Sequence, residues 1–350
     1  MLRILCRINK IKQDTERSVG VFFPLTLFCP LKIKRKYEYN DYDKKIPIPL
    51  AGVMLGFAAL GNLLQSYSES IRLICGLISA ILGILLICKC VLYPSMIKED
   101  MKNPIMASVS GTFPMALMLL SAYIKPYIGF SAIYIWYLAI FLHILLIVYF
   151  TKEFIFKFDI KKVFTSYYIV YVGIVVSSVS APIFEKTNIG SLSFWFGLVS
   201  CLILLVVVTN RYIKYKEIPQ PAKPLFCIYA APVSLCLAGY IQSVEVKSLI
   251  MIGCLAVLSL IIYIIVLCNL PKYLKMPFYP SYAAFTFPFI ISAIAMKMTM
   301  NFLANNGYAI PFINYLVLFQ TIIATLLVIY TLIRFIIFIM PAKNSDLVHE

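Results

Sequence analysis

Two similar tetrapeptides place a hydroxyl group, an aromatic ring and a helix-breaking proline side by side. They are Thr112-Phe113-Pro114-Met115 and Thr286-Phe287-Pro288-Phe289. A threonine hydroxyl can donate a hydrogen bond to a solute. A phenylalanine beside a proline kink can close a narrow lumen, because an apolar constriction removes the water around an ion. The combination indicates passage of a small solute past a barrier.

The other polar side chains near these motifs are uncharged. All fifteen acidic residues fall outside the apolar segments of the chain, whose formal net charge is +16. Cation channels and proton-coupled pumps usually carry carboxylates within the membrane. A neutral lumen in a basic protein therefore favours an anion. The hydroxyl groups in question belong to Ser108, Ser110, Thr112, Ser177, Ser178, Ser180, Ser234, Thr286 and Ser292.

Lys297 lies inside an apolar segment, ten residues after Phe287. That separation corresponds to about 15 Å along a helix. The ammonium group could attract anions at the external mouth of a pore. It could equally be a lysine that extends to the membrane interface. The sequence leaves both interpretations open.

The elements that must position these residues are membrane helices. The chain of 350 residues is 62% hydrophobic with a mean hydropathy of +0.91, which exceeds what a soluble core can bury. A spanning helix needs about 20 apolar residues. Ten stretches qualify, and they predict an all-α polytopic membrane protein: 47–66, 71–93, 105–124, 129–150, 163–182, 189–209, 224–241, 247–270, 281–300 and 312–340.

The remaining residues form two predicted tails around a transmembrane domain, residues 47–340. Residues 1–46 are basic and are interpreted as a cytoplasmic tail that is disordered or lies on anionic lipid. Whether this tail belongs to the mature protein stays open. Residues 341–350 form the second tail. Lysine and arginine concentrate in the loops on one side, which predicts that both termini lie in the cytoplasm. We expect the protein in the plasma membrane.

Proline and glycine interrupt the odd-numbered spans, whereas the even-numbered spans are mostly plain aliphatic and aromatic sequence. Span 1 contains Gly52 and Gly56, and span 9 contains Pro288. Broken helices are tolerated where protein or a water-filled cavity, and not lipid, meets the freed carbonyls. We therefore predict five helical hairpins around a central pore, with the odd-numbered helices inside.

Other classes of function lack their signatures. The chain has no G-x-S-x-G, no H-E-x-x-H and no P-loop, so a membrane enzyme is a remote alternative. Its cysteines do not form paired metal-ligand spacings, and we predict no metal and no cofactor. The positive charge lies in loops between apolar spans, which argues against nucleic acid as a partner.

Residues 46–340 resemble the tellurite-resistance/dicarboxylate transporter family, which includes the plant slow anion channels. Span 1 is similar to the first pore helix of that family, and Phe285-Thr286-Phe287-Pro288 resembles the ninth-helix motif of the plant members. Two further matches lie in spans 5 and 7, at Tyr171-Val172-Gly173-Ile174-Val175-Val176-Ser177 and Ala231-Pro232-Val233-Ser234-Leu235-Cys236.

The resemblance implies a homotrimer in which each protomer has its own pore, with Phe287 as the gating aromatic. Family members move small inorganic or carboxylate anions such as chloride, nitrate, sulfite and malate. The leading hypothesis is a passive small-anion channel or uniporter. A secondary transporter of C4-dicarboxylates, or of sulfite or tellurite, is the alternative. The predicted pore-lining residues are Gly52, Gly56, Phe57, Thr112, Phe113, Pro114, Gly173, Val176, Ser177, Pro232, Ser234, Thr286 and Pro288.

Overall fold

The computed structural model describes residues 46–308 and 310–340, and every regular element within them is helical. The two predicted tails therefore lie outside the described residues, apart from Ile46. The α-helices are, in chain order, α1 (Leu50–Leu64), α2 (Glu69–Leu92), α3 (Pro94–Asp100), α4 (Pro104–Ser110), α5 (Thr112–Ile128), α6 (Ala132–Phe150), α7 (Tyr167–Tyr171), α8 (Val176–Ser180), α9 (Thr187–Lys214), α10 (Ala231–Ser243), α11 (Leu249–Leu274), α12 (Phe287–Asn305) and α13 (Pro311–Ile339).

Short helices of other types extend or join these elements. The π-helical turn Thr151–Ile155 prolongs α6. The 3₁₀ segments are Gly129–Ser131, Ile160–Lys162, Gly173–Val175, Ala181–Phe184, Gln220–Ala230 and Pro280–Phe285. The two longest of them, Gln220–Ala230 and Pro280–Phe285, lead into α10 and α12.

The helices long and apolar enough to cross a membrane number seven in the described residues, judged by length and composition, whereas the sequence predicts ten spans. Predicted spans 105–124 and 129–150 fall in one helical run, Pro104–Ile155, which is interrupted at Gly129. The helix of span 1 has only 15 residues. Span 163–182 is divided into short pieces. One merged run, one short helix and one divided span therefore account for the difference between ten predicted spans and seven long helices.

Burial separates the helices into an inner and an outer set. Each long helix contains a most apolar stretch of 18 residues. That stretch is 89% buried in Gln220–Ser243 and 83% buried in Pro280–Asn305. The corresponding share is 28% in both Leu249–Leu274 and Pro311–Ile339. In α1 every residue except Asn62 and Leu64 is buried. The spans interrupted by proline and glycine thus form the centre, and the plain apolar helices present their side chains outward.

Small residues allow the inner helices to approach closely. A Cβ atom on Gly56 would lie 2.7 Å from the Cβ of Thr286, so α1 and the start of α12 meet without space for a larger side chain. Thr286 also donates a hydrogen bond to the Gly52 carbonyl, and Lys297 reaches the Leu63 carbonyl near the other end. These two contacts show that α1 and α12 run parallel.

Candidate functional site

A cavity of about 320 Å³ lies among the N-terminal ends of the inner helices. Its wall combines Pro49 and Gly52 before and within α1, Thr112 of α5, Gly173, and Pro232 of α10. No charged side chain lines it among the described residues. We refer to this space as the apolar cavity.

The breaks in the inner helices create the apolar cavity. Gly111 separates α4 from α5, and the 3₁₀ turn Gly173–Val175 separates α7 from α8. The 3₁₀ segments Gln220–Ala230 and Pro280–Phe285 precede α10 and α12. A continuous α-helix would pack side chains along its whole length, whereas a break exposes prolines and carbonyl groups to a lumen.

A second cavity, of about 540 Å³, lies toward the other ends of the same helices. Three basic side chains line it: Arg72, Lys247 and Lys297. Within the described part of the chain no carboxylate lines it, although Glu69 pairs with Arg72 beside it. Amide groups complete the polar lining, from Asn62, Gln65, Gln242, Asn301 and Asn305. We refer to this space as the basic cavity.

Two apolar side chains, Phe287 and Leu235, line both cavities. Phe287 is 6% exposed and Leu235 is 2% exposed, so both are buried where the two linings meet. Phe287 is the first residue of α12 and follows Thr286 directly. The single proton of the Thr286 hydroxyl is shared between two acceptors, the carbonyl oxygens of Gly52, at 2.9 Å, and Ala283, at 2.7 Å. These bonds hold the start of α12, and with it the Phe287 ring, against α1.

The three basic residues differ in how firmly they are held. Arg72 contacts Glu69 and Asn62 and lies 4.4 Å from the ring centre of Tyr123. Lys297 donates to the Leu63 carbonyl and to the Ser66 hydroxyl. Lys247 has no hydrogen-bond or ion-pair partner among the described residues and is the freest cation of the basic cavity.

The structure distributes the predicted pore residues among three environments. The apolar cavity is lined by Gly52, Thr112, Gly173, Pro232, Phe287 and Pro288. The basic cavity is lined by Val176, Phe287 and Lys297. The residues that line neither are Gly56, Phe57, Phe113, Pro114, Ser177, Ser234 and Thr286.

The hydroxyl groups of the inner helices bind backbone carbonyls of the protein. Ser177 donates to the Ile174 carbonyl and Ser234 to that of Ala230. Thr112, although it lines the apolar cavity, donates to the Val109 carbonyl at 2.7 Å. Buried hydroxyls satisfy helix carbonyls in this way because an unpaired polar group in a low-dielectric interior is costly. Their donor protons are thus engaged within the fold.

Phe113 and Pro114 lie in a different part of the molecule from Phe287 and Pro288. Both line an outer groove between α2, α5 and α6, where Leu142 and Tyr149 of α6 form the opposite wall. The repeated motif therefore has two environments, one between the cavities and one at the groove.

Sequence reasoning singled out neither Leu235 nor the contributions of Arg72 and Lys247. Leu235 carries no chemical signal, since it is one leucine among many in apolar segments. Arg72 and Lys247 had a usable signal, because the predicted topology places both in loops on the same side as Lys297. The few charges on a charge-poor side are candidates for the mouth of a pathway.

Comparison with known proteins supports a pathway for anions. A search among curated proteins returned no match. Residues 45–336 match the family model described as voltage-dependent anion channel, SLAC1. The match covers both cavities and the helices that form them. The chain therefore belongs to the SLAC1 family of voltage-dependent anion channels.

Proposed function

We propose that the protein is a passive small-anion channel or uniporter, with a path that runs from the basic cavity past Phe287 and Leu235 to the apolar cavity. One observation carries the proposal: Phe287 and Leu235 are the two side chains common to the linings of both cavities in the described residues. The basic lining on one side fits an anion, since the described residues place three cations and no carboxylate in it.

The proposed architecture is ten membrane crossings arranged as five hairpins. The buried inner helices and exposed outer helices support it, because only the inner set is shielded from lipid. The distribution of lysine between the loops favours an external basic cavity, a cytoplasmic apolar cavity and cytoplasmic termini. The plasma membrane is the proposed location. The homotrimer implied by the family resemblance remains a prediction.

The proposed barrier acts by excluding water. An anion in the basic cavity keeps its hydration and gains from the positive potential there. Between Phe287 and Leu235 it would lose its water to apolar side chains, which offer no replacement hydrogen bonds. Displacement of the Phe287 ring would join the cavities, so we assign Phe287 as the gate and Leu235 as its packing partner.

Electrophysiology of wild type and Phe287→Ala tests the proposal. The variant should conduct chloride or nitrate with a reversal potential that follows the anion gradient, because removing the ring opens the constriction. Dicarboxylates such as malate belong in the same panel. If neither protein conducts any anion while both reach the membrane folded, the channel proposal fails.

Reconstituted vesicles separate a channel from a carrier. A uniporter or channel should show flux that depends on the electrical potential and not on a proton gradient. Saturable uptake that requires protons would instead favour a secondary transporter of dicarboxylates or sulfite. His143, which is fully buried and contacts the Val170 carbonyl at 3.0 Å, is the residue to substitute in that case.

A further inference from the structure

Lys89 is a buried cation that neither cavity uses. It lies in α2, and only 3% of the residue is exposed. Its ammonium group donates to the Ile46 carbonyl and forms no ion pair with a described residue. The Asp100 carboxylate attracts the ammonium group electrostatically but does not form an ion pair with it. A buried ammonium has three protons to satisfy and is costly without an anionic partner, so with respect to the described residues Lys89 has capacity for another ligand.

The outer groove of about 400 Å³ runs directly from Lys89. Apart from Lys89, its wall is largely apolar and includes Phe113, Pro114, Leu142 and Leu145. Leu145 is 47% exposed on α6, so the groove reaches the outer surface of the bundle, which lipid surrounds in a membrane. Water would find few polar partners in such a groove.

The position of Lys89 along α2 matches the depth of a lipid headgroup. It lies three residues before the end of the helix. That distance is about 4.5 Å along the helix axis, close to the membrane interface. An amphiphile with its negative charge at the interface and its chain in the bilayer would satisfy both ends of the site.

We propose that the outer groove binds an anionic phospholipid, with the headgroup phosphate on Lys89 and one acyl chain along Phe113 and Leu145. The charge complementarity of Lys89 selects the head, and the apolar wall accommodates the chain. The acyl chain contacts the start of α5, whose Thr112 and Met115 line the apolar cavity. The site thus connects bilayer composition to an inner helix.

Photolabelling in vesicles tests the site without any measurement of transport, so its outcome is independent of the proposed function. Purified protein is reconstituted in phosphatidylcholine vesicles that contain a trace of phosphatidylglycerol with a diazirine in its acyl chain. After irradiation, labelled peptides are mapped by mass spectrometry. We expect label on the peptides containing Phe113 and Leu145, and a much weaker signal with a matching phosphatidylcholine probe.

Two variants with matched controls make the test specific. Lys89→Met should reduce phosphatidylglycerol labelling about tenfold, the change expected from one charge-assisted hydrogen bond. Lys98→Met removes an exposed lysine from neighbouring α3 and should leave it unchanged. Leu145→Trp should obstruct the groove without altering Lys89 and should therefore reduce labelling. Leu138→Trp, on the same helix but outside the groove, should leave labelling unchanged.

Three results would overturn the proposal. They are equal labelling by the two probes in wild type, unchanged labelling in folded Lys89→Met, and label that survives Leu145→Trp. If Lys89→Met does not fold, the Leu145→Trp and Leu138→Trp pair decides the question.

Discussion

The motifs at Thr112–Pro114 and Thr286–Pro288 have nearly the same sequence and different surroundings. Each follows a short helix that begins at a proline, Pro104 in one case and Pro280 in the other, and each stands at the start of the next helix. Phe287 nevertheless lines both the apolar and the basic cavity, whereas Phe113 lines the outer groove.

The difference between the motifs follows from what the threonine contacts. Thr286 bonds the Gly52 carbonyl of another helix, so the start of α12 is fixed against α1 at the centre. Thr112 bonds only the Val109 carbonyl of its own helical run. A motif can therefore specify a kink in a helix without specifying how that helix is rotated about its axis. The rotation is set by packing against neighbouring helices.

The strongest test of the comparison replaces both phenylalanines separately. Phe287→Ala should raise anion flux about a hundredfold, equivalent to about 2.7 kcal/mol of barrier. Phe113→Ala should leave flux within about twofold, since its ring lies away from both cavities. Patch-clamp current normalised to surface protein measures the ratio. Equal increases would refute the distinction between the two sites.

The next test concerns the space that the second motif requires on α1. Gly56→Ala should destabilise the protein by about 2 kcal/mol, because the new methyl group would overlap the Thr286 side chain. Gly253→Ala is the matched control, since nothing lies within 4 Å of its Cβ position. Its effect should stay within about 1 kcal/mol. Unfolding in detergent, followed by circular dichroism, compares the two, and similar losses would contradict the packing argument.

A smaller effect is expected from the two threonine hydroxyls. Thr286→Val should cost about 1 kcal/mol of stability, because the Gly52 carbonyl loses a donor from another helix. Thr112→Val should be nearly neutral, because its hydroxyl only reinforces its own helix. The unfolding measurement applies here as well. A larger loss for Thr112→Val would mean that the first motif is the anchored one.

The smallest effect concerns the basic cavity beyond Phe287. Lys247→Gln should lower anion flux about twofold at low ionic strength and very little at high salt, where charges are screened. Lys272→Gln, at an exposed position on α11, is the control and should leave anion flux unchanged at both low and high ionic strength.

Lys297→Gln should also lower flux at low salt, but it removes bonds to Leu63 and Ser66. A stability measurement must accompany it. A flux deficit in Lys247→Gln that persists at high salt would argue against an electrostatic role for the basic cavity.

Much of the inner set was predictable because proline and glycine break helices in an identifiable way. Gly173 illustrates the limit. Its presence in span 5 suggested an inner helix, but it indicated neither the division of that span into short pieces nor the close packing of Met115 and His143 against Gly173. The positions of Leu235 and Lys89 could not be predicted either. In the sequence Leu235 is one of many leucines in apolar spans, and nothing around Lys89 indicates a groove.

The sequence by itself determined the membrane class, the separation of kinked from plain spans, and the exclusion of acidic side chains from the interior. These properties follow from composition and from the local effects of proline and glycine. Only the tertiary structure decided which phenylalanine lines both cavities, because the rotation of a helix depends on contacts from distant parts of the chain. Phe287 and Phe113 share their neighbours in sequence, and the Thr286 contact with α1 distinguishes them in space.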